Sequence, residues 1–181
     1  MRILFVHLLN NYTGSPQVLA NILKELSLHK EFEISLLTSN TEGCLSDIPG
    51  IVYYNNHYKW SNNKFILLYR FVFTQIYTFF FILLKTKQTR IVYINTIVPF
   101  SAAIAGYLLN KKIIYHVHEV YIHPNFFQRM MYIIMEKTAD KIIAVSKYVS
   151  RHISRESVVI YNTVSHDFEF AAKKIIGGGG G

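Results

Sequence analysis

The chain carries a single cysteine, Cys44. One thiol cannot build an internal disulfide framework or a cysteine-based zinc site, and it fits a reducing compartment. Charged residues are scarce, at 17%, while hydrophobic residues reach 51%. That balance excludes a disordered chain. A GxGxxG run is missing, which argues against a nucleotide-dependent oxidoreductase of the glycine-fingerprint kind. No internal repeat or low-complexity stretch precedes the glycines at 177–181, which read as a linker or tail. Ile3 to Leu9 is too short for the apolar core of a signal peptide, and no small-residue cleavage site follows. A cytoplasmic chain is expected.

What is present is a basic, greasy chain of 181 residues with a formal charge of +8. Such a field attracts anions, including phosphate-bearing ligands and acidic lipid headgroups. A nucleic-acid partner is not expected, because no basic helix with base-reading spacing and no zinc-finger, KH or RNP-type pattern occurs.

Short runs rich in Val, Ile and Tyr read as buried strands: Ile3 to Leu9, Glu33 to Leu37, Ile91 to Ile94, Ile113 to Val117, Lys141 to Val145 and Ser157 to Tyr161, with a shorter one at Ile51 to Tyr54. Helical patterns separate them at Pro16 to His29, Phe65 to Lys85, Pro99 to Leu109, Asn125 to Lys137 and Lys147 to His152. The alternation predicts an α/β fold: a doubly wound, mostly parallel, Rossmann-like sheet of about seven strands with helices on both faces. Residues 1–170 form that domain, and 171–181 are a glycine-rich tail.

"FVHLLNNYTGSPQVLANILKEL" joins the first strand to the first helix. Ser15 can cap the helix and Pro16 suits its first position. Gly14 allows a positive φ and close approach of a ligand. Two readings stand: an anion cradle at a helix amino terminus, or an ordinary turn with a good cap. In "KKIIYHVHEVYIHP", His116 and His118 share one strand face, and Glu119 follows the strand-end His118. These residues suit a sugar-binding crevice. They also admit a metal site of His116, His118, His123 and Glu119, or histidines without a role.

Taken together, these segments resemble the amino-terminal half of GT-B glycosyltransferases of the family 4 type. "MRILFVHLLNNYTGSPQVLANILKEL" is similar to that family's first strand, glycine loop and helix. "RIVYINTIVPFSAAIAGYLLNKKIIYHVHE" is similar to its strand-helix-strand ending in a His and an acid. "TADKIIAVSKYVSRHI" and "VVIYNTV" resemble its later strands and turns. The resemblance implies transfer of a sugar from a nucleotide sugar to a glycan or lipid-linked acceptor, commonly with retention at the anomeric carbon. It implies work in polysaccharide or lipopolysaccharide assembly, with no cofactor and no metal.

His118 and Glu119 match the family's catalytic-side His and acid. Thr13, Gly14 and Ser15 match the loop facing the donor phosphates, although Thr13 stands where a second Gly is common and Pro16-Gln17 where Glu-Arg is common. Ser146 matches a Ser that opens a helix, and Asn162 a turn between domains. The family's second half binds the donor and carries a Glu-x7-Glu motif. Glu25 and Glu33 share that spacing, but they straddle a helix end and a strand. The expectation is an acceptor-side half, inactive without a donor-binding domain or partner chain. A competing reading is a non-catalytic, membrane-associated module that recruits a catalytic chain.

"KFILLYRFVFTQIYTFFFILLK" approaches the ~20 apolar residues of a membrane span. At 100° per residue, Arg70, Thr74, Thr78 and Lys85 form one polar stripe. One reading is a helix buried against the sheet with that stripe in water. Another adds contact of the excess apolar arc with an anionic bilayer, peripheral on the inner face of the plasma membrane, with Arg70, Tyr77, Phe80 and Lys85 facing it.

Overall fold

The computed structural model describes residues 1–119 and 124–161. Its strands are β1 (Arg2–Val6), β2 (Glu33–Thr38), β3 (Ile51–Asn55), β4 (Ile91–Asn95), β5 (Lys112–Val117), β6 (Lys141–Ala144) and β7 (Val158–Val159). Its helices are α1 (Gly14–Ser27), α2 (Lys64–Lys85), α3 (Phe100–Leu108), α4 (Asn125–Thr138) and α5 (Lys147–Ser150). The seven strands form one sheet in the order β3-β2-β1-β4-β5-β6-β7, and every pairing is parallel.

The core lies in two layers because the central strands are buried on both faces. Leu4 and Val6 of β1 join Val92, Ile94, Ile113 and Tyr115 on one face, under α3 and α4. Ile3 and Phe5 join Leu19 and Leu23 of α1 on the other. This explains why the strands read as continuous apolar runs rather than alternating ones. The order reverses between β1 and β4, and the crevice at the strands' carboxyl ends there is where such sheets bind ligands.

The first strand is shorter than Ile3 to Leu9. The side-chain amide of Asn56 donates to the carbonyls of His7 (3.1 Å) and Leu8 (2.7 Å), which takes them out of the ladder. β7 covers only part of Ser157 to Tyr161, although Ile160 N still donates to Ala144 O at 3.0 Å.

α2 departs most from expectation. Asn63 caps it, accepting from Phe65 N (2.9 Å) and Ile66 N (3.2 Å). Its buried residues are Thr74, Gln75, Thr78 and Ile82, so the middle of the polar stripe, Thr74 and Thr78, faces the protein rather than water. The large apolar side chains point outward, with Leu68 61% and Tyr69 70% exposed. Phe80 and Lys85 are exposed, but Arg70 and Tyr77 are not on the outer face. Arg70 folds back to donate to the carbonyls of Lys59 (3.3 Å) and Trp60 (3.1 Å). Tyr77 packs on the rings of His57 and Phe81.

The cause lies in α3. Its cap position is Pro99, which offers no side-chain acceptor. Gln75 of α2 fills that role: its Oε1 accepts from Ser101 N, and its Nε2 donates to Val98 O, both at 3.2 Å. The small buried residues Ala102, Ala103, Ala105 and Gly106 keep α3 thin enough to lie between α2 and the sheet.

Gln75→Leu would suit the apolar helix by composition. It is nevertheless expected to destabilise the fold by roughly 1–3 kcal/mol, because Ser101 N and Val98 O lose their partner. Urea denaturation of the two proteins checks this, and an unchanged midpoint would refute it.

Candidate functional site

The carboxyl ends of β1, β4 and β5 bring three polar side chains together. His7 follows β1, Asn95 ends β4, and His118 follows β5. Asn95 is fully buried, at 0% exposure. Its Nδ2 donates to Ser15 O and to His7 Nδ1, both at 3.1 Å, and its Oδ1 accepts from His118 Nε2 at 3.0 Å. One amide thus ties the start of α1 to the strand-end histidine. Gly14, Ser15 and His118 share one rim of the sheet.

The start of α1 differs in detail from the sequence reading. The helix begins at Gly14, and its cap position is Thr13, not Ser15. Asn11 Oδ1 accepts from Thr13 N (3.1 Å) and Thr13 Oγ1 (2.6 Å), and this turn draws the chain into the helix early. Gly14 has ordinary helical geometry, and Gly50 is the glycine with positive φ among the described residues. A Cβ added at Gly14 meets nothing within 4 Å. Pro16 sits in the first turn, where its missing N–H costs nothing, so the amides of Gly14 and Ser15 lack intrahelical partners.

A second loop closes this end of the sheet. Asn10, buried beside the first turn, donates from Nδ2 to Thr41 O (2.7 Å) and Ser46 Oγ (3.1 Å), and its Oδ1 accepts from Leu45 N (3.0 Å). A Cβ on Gly43 would lie 2.3 Å from Asn10 Oδ1 and 2.4 Å from Asn11 N, so no other residue fits there. The loop borders a polar hollow of about 440 Å³ whose lining includes Thr38, Ser39, Thr41 and Ser46 with the carboxylates of Glu42 and Asp47. Thr38 Oγ1 is buried without a partner. A larger hollow of about 610 Å³ opens at the opposite rim, beside Arg2, Gly50 and Lys87, away from the strands' carboxyl ends.

His116 and His118 lie on one face, their ring centroids 4.5 Å apart. His116 is buried and bonds through Nδ1 to the Tyr93 hydroxyl at 3.0 Å. Glu119 Oε2 accepts from Ile97 N at 3.4 Å. That contact depends on the preceding Thr96, a β-branched residue held at φ 74, which is strained backbone beside the site. Ser146 caps α5 by accepting from Val149 N at 3.1 Å. Asn162, and the His123 of the metal alternative, lie outside the described residues. Among the described residues no group of three His, Cys, Asp or Glu is placed to hold a metal ion.

The sequence reading missed His7, Asn95, Asn10 and Gly43. His7 and Asn95 carry a shared signal: each is the first polar residue after an apolar strand run, "ILFVH" and "IVYIN". Nothing local marks Gly43, whose constraint comes from a loop some 30 residues away in the chain.

The family model for Glycosyltransferase Family 4 matches residues 12–168. The chain belongs to glycosyltransferase family 4. Its sheet is the Rossmann-like domain of the GT-B amino-terminal half. The fold is similar to that of Anabaena Alr3699/HepE in complex with UDP and glucose, at 17% identity and TM-score 0.60, over 98% of this chain and 50% of that one. A glycosyltransferase from Rickettsia africae matches at 20% identity and TM-score 0.57, over 97% and 49%. UDP-GlcNAc 2-epimerase from Neisseria meningitidis bound to UDP-GlcNAc matches at 12% identity and TM-score 0.63, over 98% and 53%. The chain therefore spans about half the length of these neighbours, and at such identities the likeness is one of fold. No match is found among proteins of curated function.

The titrating groups at the rim of this family 4 domain are shifted chiefly by burial. Burial pushes His7 and His116 down to about 4. His118 falls to about 3, first by burial and then by the neighbouring His116 and His7. Burial pushes Glu119 up to about 7, against the hydrogen bond from Ile97. The three histidines are thus neutral at neutral pH.

These shifts oppose one another in stability. From about pH 4.5 to 6.5 the unfolded histidines bind protons that the folded ones refuse, so three groups raise stability with pH. Glu119 works the other way: its contribution is full below its unfolded value of 4.5 and is lost as pH rises through about 7. Stability is expected to climb from about pH 4.5 to 7 and then to level off, with Glu119 blunting the climb because its loss falls in the same window. Glu119→Gln should make the climb steeper. Urea midpoints at half-unit pH steps check this, and a climb of unchanged steepness in the variant would contradict it.

Proposed function

We propose that this domain is the acceptor-side half of a retaining glycosyltransferase, working in the cytoplasm on a nucleotide sugar and a glycan or lipid-linked acceptor. The observation that carries the proposal is the three-way bonding of Asn95, which fixes the α1 amino terminus and His118 at one rim. The donor lies across that rim. The Gly14 and Ser15 amides, with the partial positive charge of the helix, stabilise the leaving phosphate. His118 is neutral, and its Nε2 is committed to Asn95. That fixes the ring so that its remaining nitrogen accepts from a hydroxyl of the transferred sugar.

The polar hollow beside the Gly43 loop suits the acceptor, because its hydroxyls and the Glu42 and Asp47 carboxylates are hydrogen-bond partners for a glycan's own hydroxyls. The unpartnered Thr38 hydroxyl supports this assignment. Glu119, close to its titration point at neutral pH, helps place the acceptor. Donor recognition rests on a second half. The UDP and UDP-GlcNAc bound by two of the neighbours support a nucleoside-diphosphate sugar as donor.

Acceptor-dependent release of nucleoside diphosphate tests the scheme. This chain alone is expected to turn over no nucleotide sugar, and sustained transfer by it would overturn the division of labour. In an enzyme completed by a donor-binding half, His118→Ala is expected to lower kcat by on the order of 10²-fold. Thr38→Val with Ser46→Ala should raise acceptor KM and leave kcat alone. A His118→Ala enzyme running at the parent rate would end the assignment.

A further inference from the structure

The charge of +8 is not spread along the chain. Between Ile48 and His118 there are eight Lys or Arg residues and no Asp or Glu, while outside that stretch eleven basic residues meet eleven acidic ones. The entire excess lies in the segment that carries α2 and α3. That same segment turns its apolar side outward. Phe65, Leu68, Tyr69, Ile76, Phe80 and Leu84 are between 53% and 85% exposed. At 100° per residue they occupy an arc of about 160°, and the strip runs about 28 Å along the helix. No charged side chain falls within that arc. Exposed lysines bracket it, Lys59 and Lys64 before it and Lys85 and Lys87 after it, with Trp60 beside the first pair.

We propose that the outer face of α2 rests on an anionic lipid bilayer with the helix axis in the membrane plane. α2 is long and apolar enough to cross a membrane by length and composition. It does not leave the domain, because β3 and β4 on either side of it belong to one sheet and Gln75 fastens its middle to α3. The strip offers a partner almost no polar atoms, which suits acyl chains. Tyr69 and Trp60 belong at headgroup level, and the bracketing lysines pair with lipid phosphates. A second copy of the chain is disfavoured because docking would bring two such basic segments together.

Flotation of the purified chain with vesicles of equimolar phosphatidylglycerol and phosphatidylcholine tests this. The chain is expected to float with them, to be released by salt, and to bind pure phosphatidylcholine far less. Ile76→Glu with Phe80→Glu should abolish flotation while the circular dichroism and thermal midpoint hold, because both positions are exposed. Lys59, Lys64, Lys85 and Lys87 changed to Gln should each weaken anionic partitioning by about fivefold. Failure of the wild type to float, equal affinity for both vesicle types, or flotation of the double-Glu variant would each overturn the proposal. So would a dimer in sedimentation equilibrium that the double variant dissolves, since it would assign the face to a second copy. None of these outcomes depends on nucleotide-sugar turnover, so the two proposals fail separately.

Discussion

The side-chain amide of Asn95 is the constraint on which the rim depends. A buried amide needs partners for two hydrogens and an oxygen, and any left unpaired costs on the order of 1–3 kcal/mol. Here the partners come from three places: the first turn of α1, the end of β1 and the end of β5. Satisfying one residue therefore fixes the relative positions of three elements. It also sets a chemical state, since an imidazole that gives its Nε2 hydrogen to Asn95 keeps an acceptor on the other side of the ring. Burial then holds that imidazole neutral at cellular pH. Position and protonation follow from one contact.

α2 shows the same logic with the opposite outcome. Its polar side chains are few, and the interior claims Gln75 because the α3 start needs a cap that Pro99 does not provide. Once Gln75 is committed inward, with Thr74 and Thr78 on the same face, helical geometry turns Phe65, Leu68, Tyr69, Ile76, Phe80 and Leu84 outward. The unusual surface is thus a by-product of an ordinary requirement, that backbone groups at a buried helix end find partners.

The fold was legible in the sequence because parallel strands buried on both faces leave an apolar run that few other structures produce. Strand number, helix number and rough boundaries all follow from that pattern, and the rim shared by Gly14 and His118 follows from chain order. What was not legible has separate causes. A local turn from Asn11 to Thr13 started α1 two residues early, so Ser15 lost the cap and Gly14 its special φ. Asn56 cut β1 short from nearly 50 residues away. The α2 stripe was assigned outward because helical periodicity finds a polar face but cannot say which way it points. Asn95 looked like the end of a strand, although its place after four apolar residues marked the rim.

The close seat of Gly43 against the Asn10–Asn11 backbone welds two loops into one piece. With no room for even a methyl group at the seam, adding or deleting a residue in either loop would pry the pair apart. Evolution at this end of the molecule is then restricted to exchanging the side chains that line the neighbouring hollow, with both loop lengths frozen. Related domains that kept the seam should vary in the lettering of the wall and not in its outline.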